Sequence, residues 1–337
     1  MHILWTGQTG CYDSRGREIP CPGSGQDGEI RPGRPWPDPR FRFIGGDIVE
    51  DRATGLLWSA DANLFSFPMS WQDGLDVARQ MRRERAFGRD DWRLPNRREL
   101  RSLVSHQAKK PALPHDHPFR NVFLGWYWTS TTSAVAPGYA WYVHLEGGRM
   151  FYGKKDSQYL VWPVSGDSGV LPATGQATCF DMRGNEVFCD HSGQDGELQL
   201  GVDWPSERFV RREHGIEDRL TGLLWYDRGD LPGRPAAWEQ VLAAVKTLAS
   251  KTEIPWRLPT INELESLVDA SAHAPALPRQ HPFAAVQPAY WSATTSYFEP
   301  DWAYVLYFDK GAVGVGFKMN EEFYLWPVVG RQRGPGL

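Results

Sequence analysis

The stretch WRLPNRREL (residues 92–100) decides the fold, because it returns almost unchanged as WRLPTINEL (residues 256–264). In each copy, WRLP leads into a helix that begins with a capping pattern. Asn96 and Glu99 have the spacing at which the cap side chain accepts from a helical amide while the carboxylate reaches back to the cap amide. The second copy repeats this spacing. The acids of these helices are therefore predicted to be caps and not catalytic carboxylates.

The rest of the chain repeats in the same order. The paired segments are TGQTGCYDSRGREIPCPGSGQDGE and TGQATCFDMRGNEVFCDHSGQDGE, DRATGLLW (51–58) and DRLTGLLW (218–225), PALPHDHPF (111–119) and PALPRQHPF (275–283), WTSTTS (128–133) and WSATTS (291–296), and LVWPV (160–164) and LWPV (325–328). An offset of this size is far longer than a solenoid repeat of about 20–50 residues. The sequence predicts a duplicated domain, residues 1–168 and 169–337, and each half is long enough to bury its own core.

Composition limits the class of protein. The chain has 337 residues, 23% charged residues and a net charge of −4, which is typical of a globular protein. Its short basic runs do not form the patch that binds duplex nucleic acid, and no apolar stretch approaches the roughly 18 residues of a membrane span. The opening MHILWTGQTG is too short to be a signal peptide. We therefore expect no nucleic-acid partner and no membrane span.

The four cysteines form two equally spaced pairs, Cys11 with Cys21 and Cys179 with Cys189. Each pair brackets a turn signal, so a hairpin folded there would bring the two sulfurs together. We predict one disulfide per copy; four reduced thiols are the alternative, and Cys-x9-Cys is not a zinc spacing. Disulfides form in oxidising compartments, so the sequence predicts an extracytoplasmic protein (periplasm, cell surface or secreted) although no signal peptide is present.

The remaining pattern predicts an α+β fold. Helical spacing of apolar residues marks 70–84 and 236–250, and short strands are predicted at 126–130, 140–145, 150–154 and 159–164. The predicted order in each copy is a disulfide hairpin, two helices and a small twisted antiparallel sheet with long loops.

Together these motifs resemble a known bacterial family, the C-terminal domain of Legionella collagen-like protein. The resemblance covers nearly all of both copies: TGQ…C…C…GQDG, D-x-x-TGLLW, WRLP-x-x-x-EL, HPF, W-[ST]-[SA]-TTS and WAYV…G…WPV. It implies two tandem C-type-lectin-like domains with a loop-dominated ligand face and an extracytoplasmic location. The founding member is similar in role to an adhesin that recognises sulfated glycans.

WRLP-x-x-x-EL is also similar to a segment of the formylglycine-generating enzymes, which share that broad fold. Those relatives bind copper through cysteines late in the domain, whereas residues 22–178 and 190–337 contain no cysteine. The repeated TTS (131–133 and 294–296) offers hydroxyl groups, but a Thr/Ser run at a strand is ordinary β-sheet chemistry. We therefore predict that the protein is not an enzyme and has no catalytic residues.

Two further motifs suggest metal or sugar chemistry. Asp27 and Glu29 lie in a Gly-rich loop that repeats in the second copy, and structural calcium there is a weaker alternative to a turn whose Asp accepts backbone amides. Glu299-Pro300-Asp301 is similar to the sugar-binding triplet of calcium-dependent lectins, but the first copy has Ala-Pro-Gly. We predict no metal site and no cofactor.

The two copies differ most in the late hairpin, at residues 142–156 and their counterparts. The changes are of size, charge and polarity, which a packed core tolerates poorly. Tyr, His, Arg and Phe are also common in recognition surfaces. The predicted ligand-binding residues are Tyr142, His144, Arg149, Phe151, Tyr152, Lys154, Glu299, Asp301, Tyr307, Lys310 and Phe317. Neutral drift on an exposed sheet is the alternative explanation.

The predicted function is ligand binding or adhesion through these hairpins, with a surface glycan or a protein as partner. A second hypothesis is a structural subunit of a surface appendage or phage fibre, and a third is an enzyme on the formylglycine-generating scaffold. The sequence leaves the oligomeric state open.

Overall fold

The structure is a computed structural model, and it describes residues 3–330. Copy 1 contains strands β1 (Cys11–Tyr12), β2 (Glu18–Ile19), β3 (Phe41–Gly45), β4 (Ile48–Asp51), β5 (Leu56–Ser59), β6 (Trp126–Thr132), β7 (Tyr139–His144), β8 (Met150–Lys154) and β9 (Val164–Ser165), and helices α1 (Asp27–Ile30), α2 (Trp71–Glu84) and α3 (Arg97–Ser102), with a 3-10 turn at Ala86–Gly88. Copy 2 contains strands β10 (Cys179–Phe180), β11 (Glu186–Val187), β12 (Phe209–Arg212), β13 (Gly215–Asp218), β14 (Leu223–Trp225), β15 (Leu231–Ala236), β16 (Ala289–Thr295), β17 (Trp302–Tyr307), β18 (Ala312–Phe317), β19 (Phe323–Leu325) and β20 (Val328–Val329), and helices α4 (Asp195–Leu198), α5 (Trp238–Thr252) and α6 (Ile261–Ser266). This confirms the α+β class.

The helices form where the sequence predicts them. The hydroxyl of Ser70 accepts from the amide of Asp73 and caps α2, whose apolar side faces the core. The capping box at α3 is present, with Asn96 accepting from the Glu99 amide while the Glu99 carboxylate accepts from the Asn96 amide. The same carboxylate pairs with both Nη atoms of Arg93, at 2.6 and 2.7 Å. WRLP-x-x-x-EL is thus one structural unit, and α6 repeats it.

Both predicted disulfides are confirmed. Cys11 is bonded to Cys21, and Cys179 to Cys189. Each closes a two-stranded hairpin followed by a single helical turn. We call residues 3–34 hairpin segment 1 and residues 171–202 hairpin segment 2, and we call the rest of each copy body 1 (residues 40–165) and body 2 (residues 208–329).

The two bodies share one sheet. Each body has its own four-stranded antiparallel sheet, β3-β4-β5-β9 and β12-β13-β14-β20, but the late hairpins join in an eight-stranded sheet in the order β15-β19-β16-β17-β18-β8-β7-β6. The join is the pairing of Met150 with Val313, between β8 and β18. The prediction of a separate small antiparallel sheet in each copy was wrong here, because each late hairpin left an unpaired edge strand that the other could complete. The same sheet also contains one parallel pairing, of β16 with β19.

The predicted strand at 159–164 was also wrong. Tyr159 and Leu160 form only isolated bridges, and β9 begins at Val164. Val161 and Trp162 are both buried although they are consecutive, which a regular strand with one solvated face does not allow.

Each hairpin segment contacts the body of its own copy and also docks on the body of the other copy. Hairpin segment 1 reaches body 2, where the Gln8 side chain exchanges two hydrogen bonds with the backbone of Thr295, at 2.7 and 2.8 Å. The hydroxyl of Thr294 donates to the carboxylate of Asp27 at 2.7 Å. The ammonium of Lys318 donates to the carbonyl oxygens of Tyr12 and Asp13, at 3.2 and 3.3 Å.

Hairpin segment 2 makes the same contacts with body 1. Gln176 exchanges hydrogen bonds with the backbone of Thr132, and the Thr131 hydroxyl donates to Asp195. The ammonium of Lys155 donates to the carbonyl oxygens of Phe180 and Asp181 and lies 3.9 Å from the centroid of the Trp71 ring. The repeated TGQ, GQDG and TTS motifs are therefore complementary parts of one docking contact, which occurs twice. The domain limits 1–168 and 169–337 stay a prediction, because they divide the chain by sequence position alone.

Burial shifts the pKa of the charged groups in these docking contacts. Loss of water raises the pKa of the Asp27 carboxyl to about 7 and that of the Asp195 carboxyl to about 6, although threonine hydroxyls donate to both. Burial lowers the pKa of the Lys155 and Lys318 ammonium groups to about 7. The carboxyl and ammonium groups that hold the hairpin segments are thus almost completely shielded from water.

The two bodies also meet at a central seam, formed by β8 against β18 and by α3 against α6. Arg101 Nε lies 3.6 Å from a carboxylate oxygen of Glu265, and both side chains are buried. Arg97 stacks on the Trp141 ring at 4.0 Å and donates to the carbonyl oxygen of Gly311. The seam therefore contains a buried ionic cluster between the copies.

Candidate functional site

The late hairpins present a row of aromatic side chains on one face of the eight-stranded sheet. In body 1, the Trp126 ring lies 4.2 Å from the ring of Tyr142 and 4.4 Å from that of His144. The ring of Phe151 is 6.4 Å from Trp126 and reaches the seam. Across the seam, the ring of Tyr307 continues the row. We call these five residues the aromatic face.

Strand geometry explains why these residues share a side. Trp126 is opposite His144 in the pairing of β6 with β7, and Tyr142 is opposite Phe151 in the pairing of β7 with β8. Directly paired residues point to the same side of a sheet, as do residues two apart. The opposite side, which contains Val143, packs on the main core.

The two long helices lie towards the ends of the aromatic side of the sheet. Helix α2 contacts β6, and α5 contacts β15, β16 and β19. Between them, Trp126, Tyr142, Phe151 and Tyr307 remain half-buried, so their rings are partly open to solvent. A row of partly exposed rings on a rigid sheet can stack against a flat apolar surface, such as the face of a sugar ring or an aromatic side chain.

Polar groups on this face are mostly uncharged near neutral pH. Burial lowers the pKa of His144, whose Nδ1 lies 2.8 Å from the carbonyl oxygen of Glu146. Burial raises the pKa of Tyr142 to about 12 and also raises that of Tyr307. The face thus combines apolar rings with neutral hydroxyl and imidazole groups.

The other predicted ligand residues lie elsewhere. Tyr152 and Lys154 are on the opposite side of β8, where Tyr152 packs edge-on against Trp141. Phe317 is on that side of β18, 5.6 Å from the ring of Trp302.

Two more lie in the hairpin turns. Arg149 is half-buried next to β8, and Lys310 pairs with Asp309 at 3.6 Å. The structure therefore brings Tyr142, His144, Phe151 and Tyr307 together and separates them from the remainder of the predicted set.

The Glu299–Asp301 triplet lies next to the tip of hairpin segment 1. A Cβ atom on Gly16 would be 2.9 Å from the amide nitrogen of Asp301, so the hairpin turn presses on this loop. The Asp301 carbonyl accepts from the amide of Lys318, and the Glu299 side chain is exposed. Since Ala136-Pro137-Gly138 meets Gly184 in the same way, this loop serves hairpin docking in both copies.

Most carboxylate oxygens of the Gly-rich loops accept hydrogen bonds from protein donors. Glu29 accepts from the amides of Gly23 and Gly25, while Asp27 accepts from Thr294. Within residues 3–330, no group of three or more His, Cys, Asp or Glu side chains is arranged to hold a metal ion. The backbone amides that we expected Asp27 to bind are instead bound by Glu29.

Sequence reasoning missed Trp126, which is at the centre of the aromatic face. The signal was available, because the counterpart of Trp126 in the second copy is Ala289, a change as large as those that marked the late hairpin. Trp126 lies on β6, which pairs with β7 of the late hairpin, so the difference between the copies extends beyond the hairpin to this strand.

Comparison with known proteins identifies the family. The sequence pattern of the Lcl C-terminal domain matches residues 47–165 and again residues 214–329, which together make up more than half of the chain. The chain belongs to the Lcl C-terminal domain family. No curated protein and no solved structure is significantly similar to it. The matched segments agree closely with the two bodies, so the tandem duplication is confirmed, and both hairpin segments lie outside the matched regions.

Membership of this family fits a binding or adhesion role. The two disulfides indicate an oxidising environment. Residues 3–330 contain no helix that is both long and apolar enough to span a bilayer.

Proposed function

We propose that the protein is an extracytoplasmic, non-enzymatic binding protein that recognises a glycan through its aromatic face. The observation that carries the proposal is the row of partly exposed rings from Trp126 to Tyr307, which crosses from one body to the other. Aromatic rings bind sugars by stacking on their C–H surfaces, and the neutral Tyr and His groups can form the accompanying hydrogen bonds.

Several observations support this proposal. The family fits a binding role, and the disulfides support an extracytoplasmic location, where surface glycans occur. All four cysteines are used in disulfides, so the copper thiolates of the formylglycine-generating enzymes have no counterpart here. We propose further that each body is a variant of the C-type-lectin-like fold, on the basis of its two helices and mostly antiparallel sheet.

The test is a glycan array followed by titration of the best ligand against variants of the aromatic face. We expect Trp126→Ala and Tyr142→Ala to weaken binding by about tenfold or more, because a stacked ring contributes on the order of 1–3 kcal/mol. Tyr139→Ala is the matched control, since Tyr139 is on the same strand as Tyr142 but on the opposite side of the sheet. Melting temperatures show whether each variant is folded.

Equal losses for Tyr139→Ala and Tyr142→Ala would contradict the assignment of the face. An array without any bound glycan, together with a protein captured by crosslinking that is lost in Trp126→Ala, would show a protein ligand at the same face.

An assembly role is the second candidate, because the surface carries isolated large apolar side chains. Phe188 in hairpin segment 2 is 96% exposed, and Phe67 is 77% exposed. Burial of these rings at a contact between subunits would be favourable, because apolar surface would leave water. Concentration-dependent oligomers in sedimentation, lost in Phe188→Ser, would favour this role.

A further inference from the structure

A cavity of about 290 Å³ lies between helix α2, the WRLP segment of body 1 and hairpin segment 2. It is on a different part of the molecule from the aromatic face, and its wall is completed by a segment of the other copy. The volume is near the lower end of the range of roughly 300–1,000 Å³ that small-molecule sites occupy.

The floor of this cavity is apolar. Leu75 and Leu94 are fully buried in body 1, and they line the cavity together with Leu198 and Leu200, which come from hairpin segment 2 and are half-buried. Four leucine side chains favour an alkyl or aromatic group over a polar one, because each buried methylene is stabilised by leaving water.

The rim is cationic. Arg79 is half-buried: its guanidinium donates to Asp76 and to the carbonyl oxygen of His191, but its Nε is buried and has no hydrogen-bond partner. Arg82, one turn further along α2, also lines the cavity and is exposed. Two arginines on one helix therefore face the mouth.

Asp76 pairs with Arg79 and so offsets one of these charges, while the other two acids nearby accept from donors of their own. Burial acts to raise the pKa of the Asp91 carboxyl, but hydrogen bonds from Arg89, Ser165 and the amide of Gly166 together hold that pKa below its usual value. Asp167, also at the rim, accepts from the amide of Gly201.

Copy 2 provides an internal comparison. Lys246 replaces Arg79 and donates to the carbonyl oxygen of Gly23, the counterpart of His191. Ala249 replaces Arg82, and Val245 replaces the smaller Ala78. The docking of the hairpin is kept, whereas the second cation and part of the space are lost, so the basic rim belongs to copy 1 and is not needed for docking.

We propose that this cavity binds a small amphipathic anion, an alkyl chain that ends in a carboxylate or sulfate. The chain would lie among the four leucines, and the anionic head would accept from Arg82 and from the free Nε of Arg79. A guanidinium is suited to both heads because its planar donors match their oxygens.

The test uses octanoate and octyl sulfate as probes and octanol as the uncharged control, in calorimetric titrations of the full chain. We expect both anions to bind more tightly than octanol. Arg82→Ala should weaken octanoate binding by about tenfold, the loss expected for one charge-assisted hydrogen bond, and should leave octanol unchanged. Arg83→Ala is the matched control, since Arg83 is exposed and does not line the cavity.

Hydrogen exchange locates the bound probe. Octanoate should protect amides of hairpin segment 2 at residues 193–200 but not the equivalent residues 25–32 of hairpin segment 1. Leu200→Trp, which fills the mouth, should abolish binding of both anions. Absence of octanoate binding, equal affinity for octanol, or equal effects of Arg82→Ala and Arg83→Ala would overturn the proposal. Preference for octyl sulfate over octanoate would identify the head group as a sulfate.

Discussion

The docking contacts of the two hairpin segments are alike, whereas the contacts across the central seam are not. Gln8 and Gln176, Asp27 and Asp195, and Lys318 and Lys155 make the same hydrogen bonds in both places. At the seam, by contrast, Arg101 faces Glu265, and Phe151 packs on Gly314.

The difference follows from the reciprocal arrangement of the copies, in which hairpin segment 1 docks on body 2 and hairpin segment 2 docks on body 1. A docking contact joins a hairpin segment to a body, so the same pair of surfaces can be used in both places. At the seam each residue meets its own counterpart: Arg101 aligns with Glu265, Phe151 with Gly314, and Met150 with Val313. Identical residues there would place two buried arginines or two phenylalanines together, so the copies had to diverge. Part of the divergence that suggested ligand specificity therefore has a packing explanation.

Removal of the acid from the seam should have the largest effect. Glu265→Gln leaves Arg97 and Arg101 buried without their carboxylate, and loss of one partner of a buried pair costs about 3–5 kcal/mol. Urea unfolding should show this loss. Glu50→Gln, which breaks the exposed Arg42–Glu50 pair, is the control and should cost less than about 1 kcal/mol. If the two variants were equally stable, the seam would not depend on this charge.

The disulfides test whether the docking contacts are equivalent. Replacing both cysteines of either pair with serine should cost about 2–3 kcal/mol, because each disulfide closes a loop of the same length. The expected result is that the two double variants, compared by thermal unfolding, lose the same stability within error. A loss confined to one pair would show that the two docking contacts are not energetically equivalent.

The size difference at the seam can be tested at Gly314. A Cβ atom there would lie 2.8 Å from Tyr307 Cε2 and 3.1 Å from Phe151 Cζ, so Gly314→Ala should cost about 1–2 kcal/mol. Gly169→Ala, whose Cβ would have no atom within 4 Å, is the control. Addition of Phe151→Ala to Gly314→Ala should give a smaller loss than the sum of the two single changes. Strict additivity would show that the two side chains are not coupled.

A change of pH is expected to have the smallest effect on the stability of the protein. The pKa of Asp27 is raised from 3.8 to about 7, so its stabilising contribution is complete below about pH 4 and is lost as pH rises through 7. Wild type should therefore lose on the order of 1 kcal/mol more than Asp27→Asn between pH 6 and 7. Titration of other groups, such as His106, affects both proteins alike and therefore cancels in this comparison. A parallel pH dependence of melting temperature in both proteins would contradict this prediction.

The parts of the fold that repeat could be predicted from the sequence, since local signals decide them. The cysteine spacing, the capping box at Asn96 and the helical periodicity of α2 are each contained in a few neighbouring residues. The pairing of Gln8 with Thr295 could not be predicted, because 287 residues separate them and either body offers the same Thr-Thr-Ser acceptor. Because both copies contain the same motifs, the sequence does not show which hairpin segment docks on which body.

The candidate site was predicted in part for a related reason. The differences between the copies identified Tyr142, His144, Phe151 and Tyr307, which share a face. They did not separate ligand contacts from seam contacts, because both kinds of residue vary. The alternation along β8 could have divided the set, as it places Tyr152 and Lys154 on the other side.

The exchange of hairpin segments also fixes an order of events during synthesis. Hairpin segment 1 emerges first, yet its lysine partner in body 2 is 306 residues away from Tyr12 in the chain. Body 1 is complete only after hairpin segment 2 has followed it, and body 2 then closes on a hairpin made long before. The Cys11–Cys21 disulfide can therefore act early, since it stabilises the first hairpin until the last strands of the chain have formed.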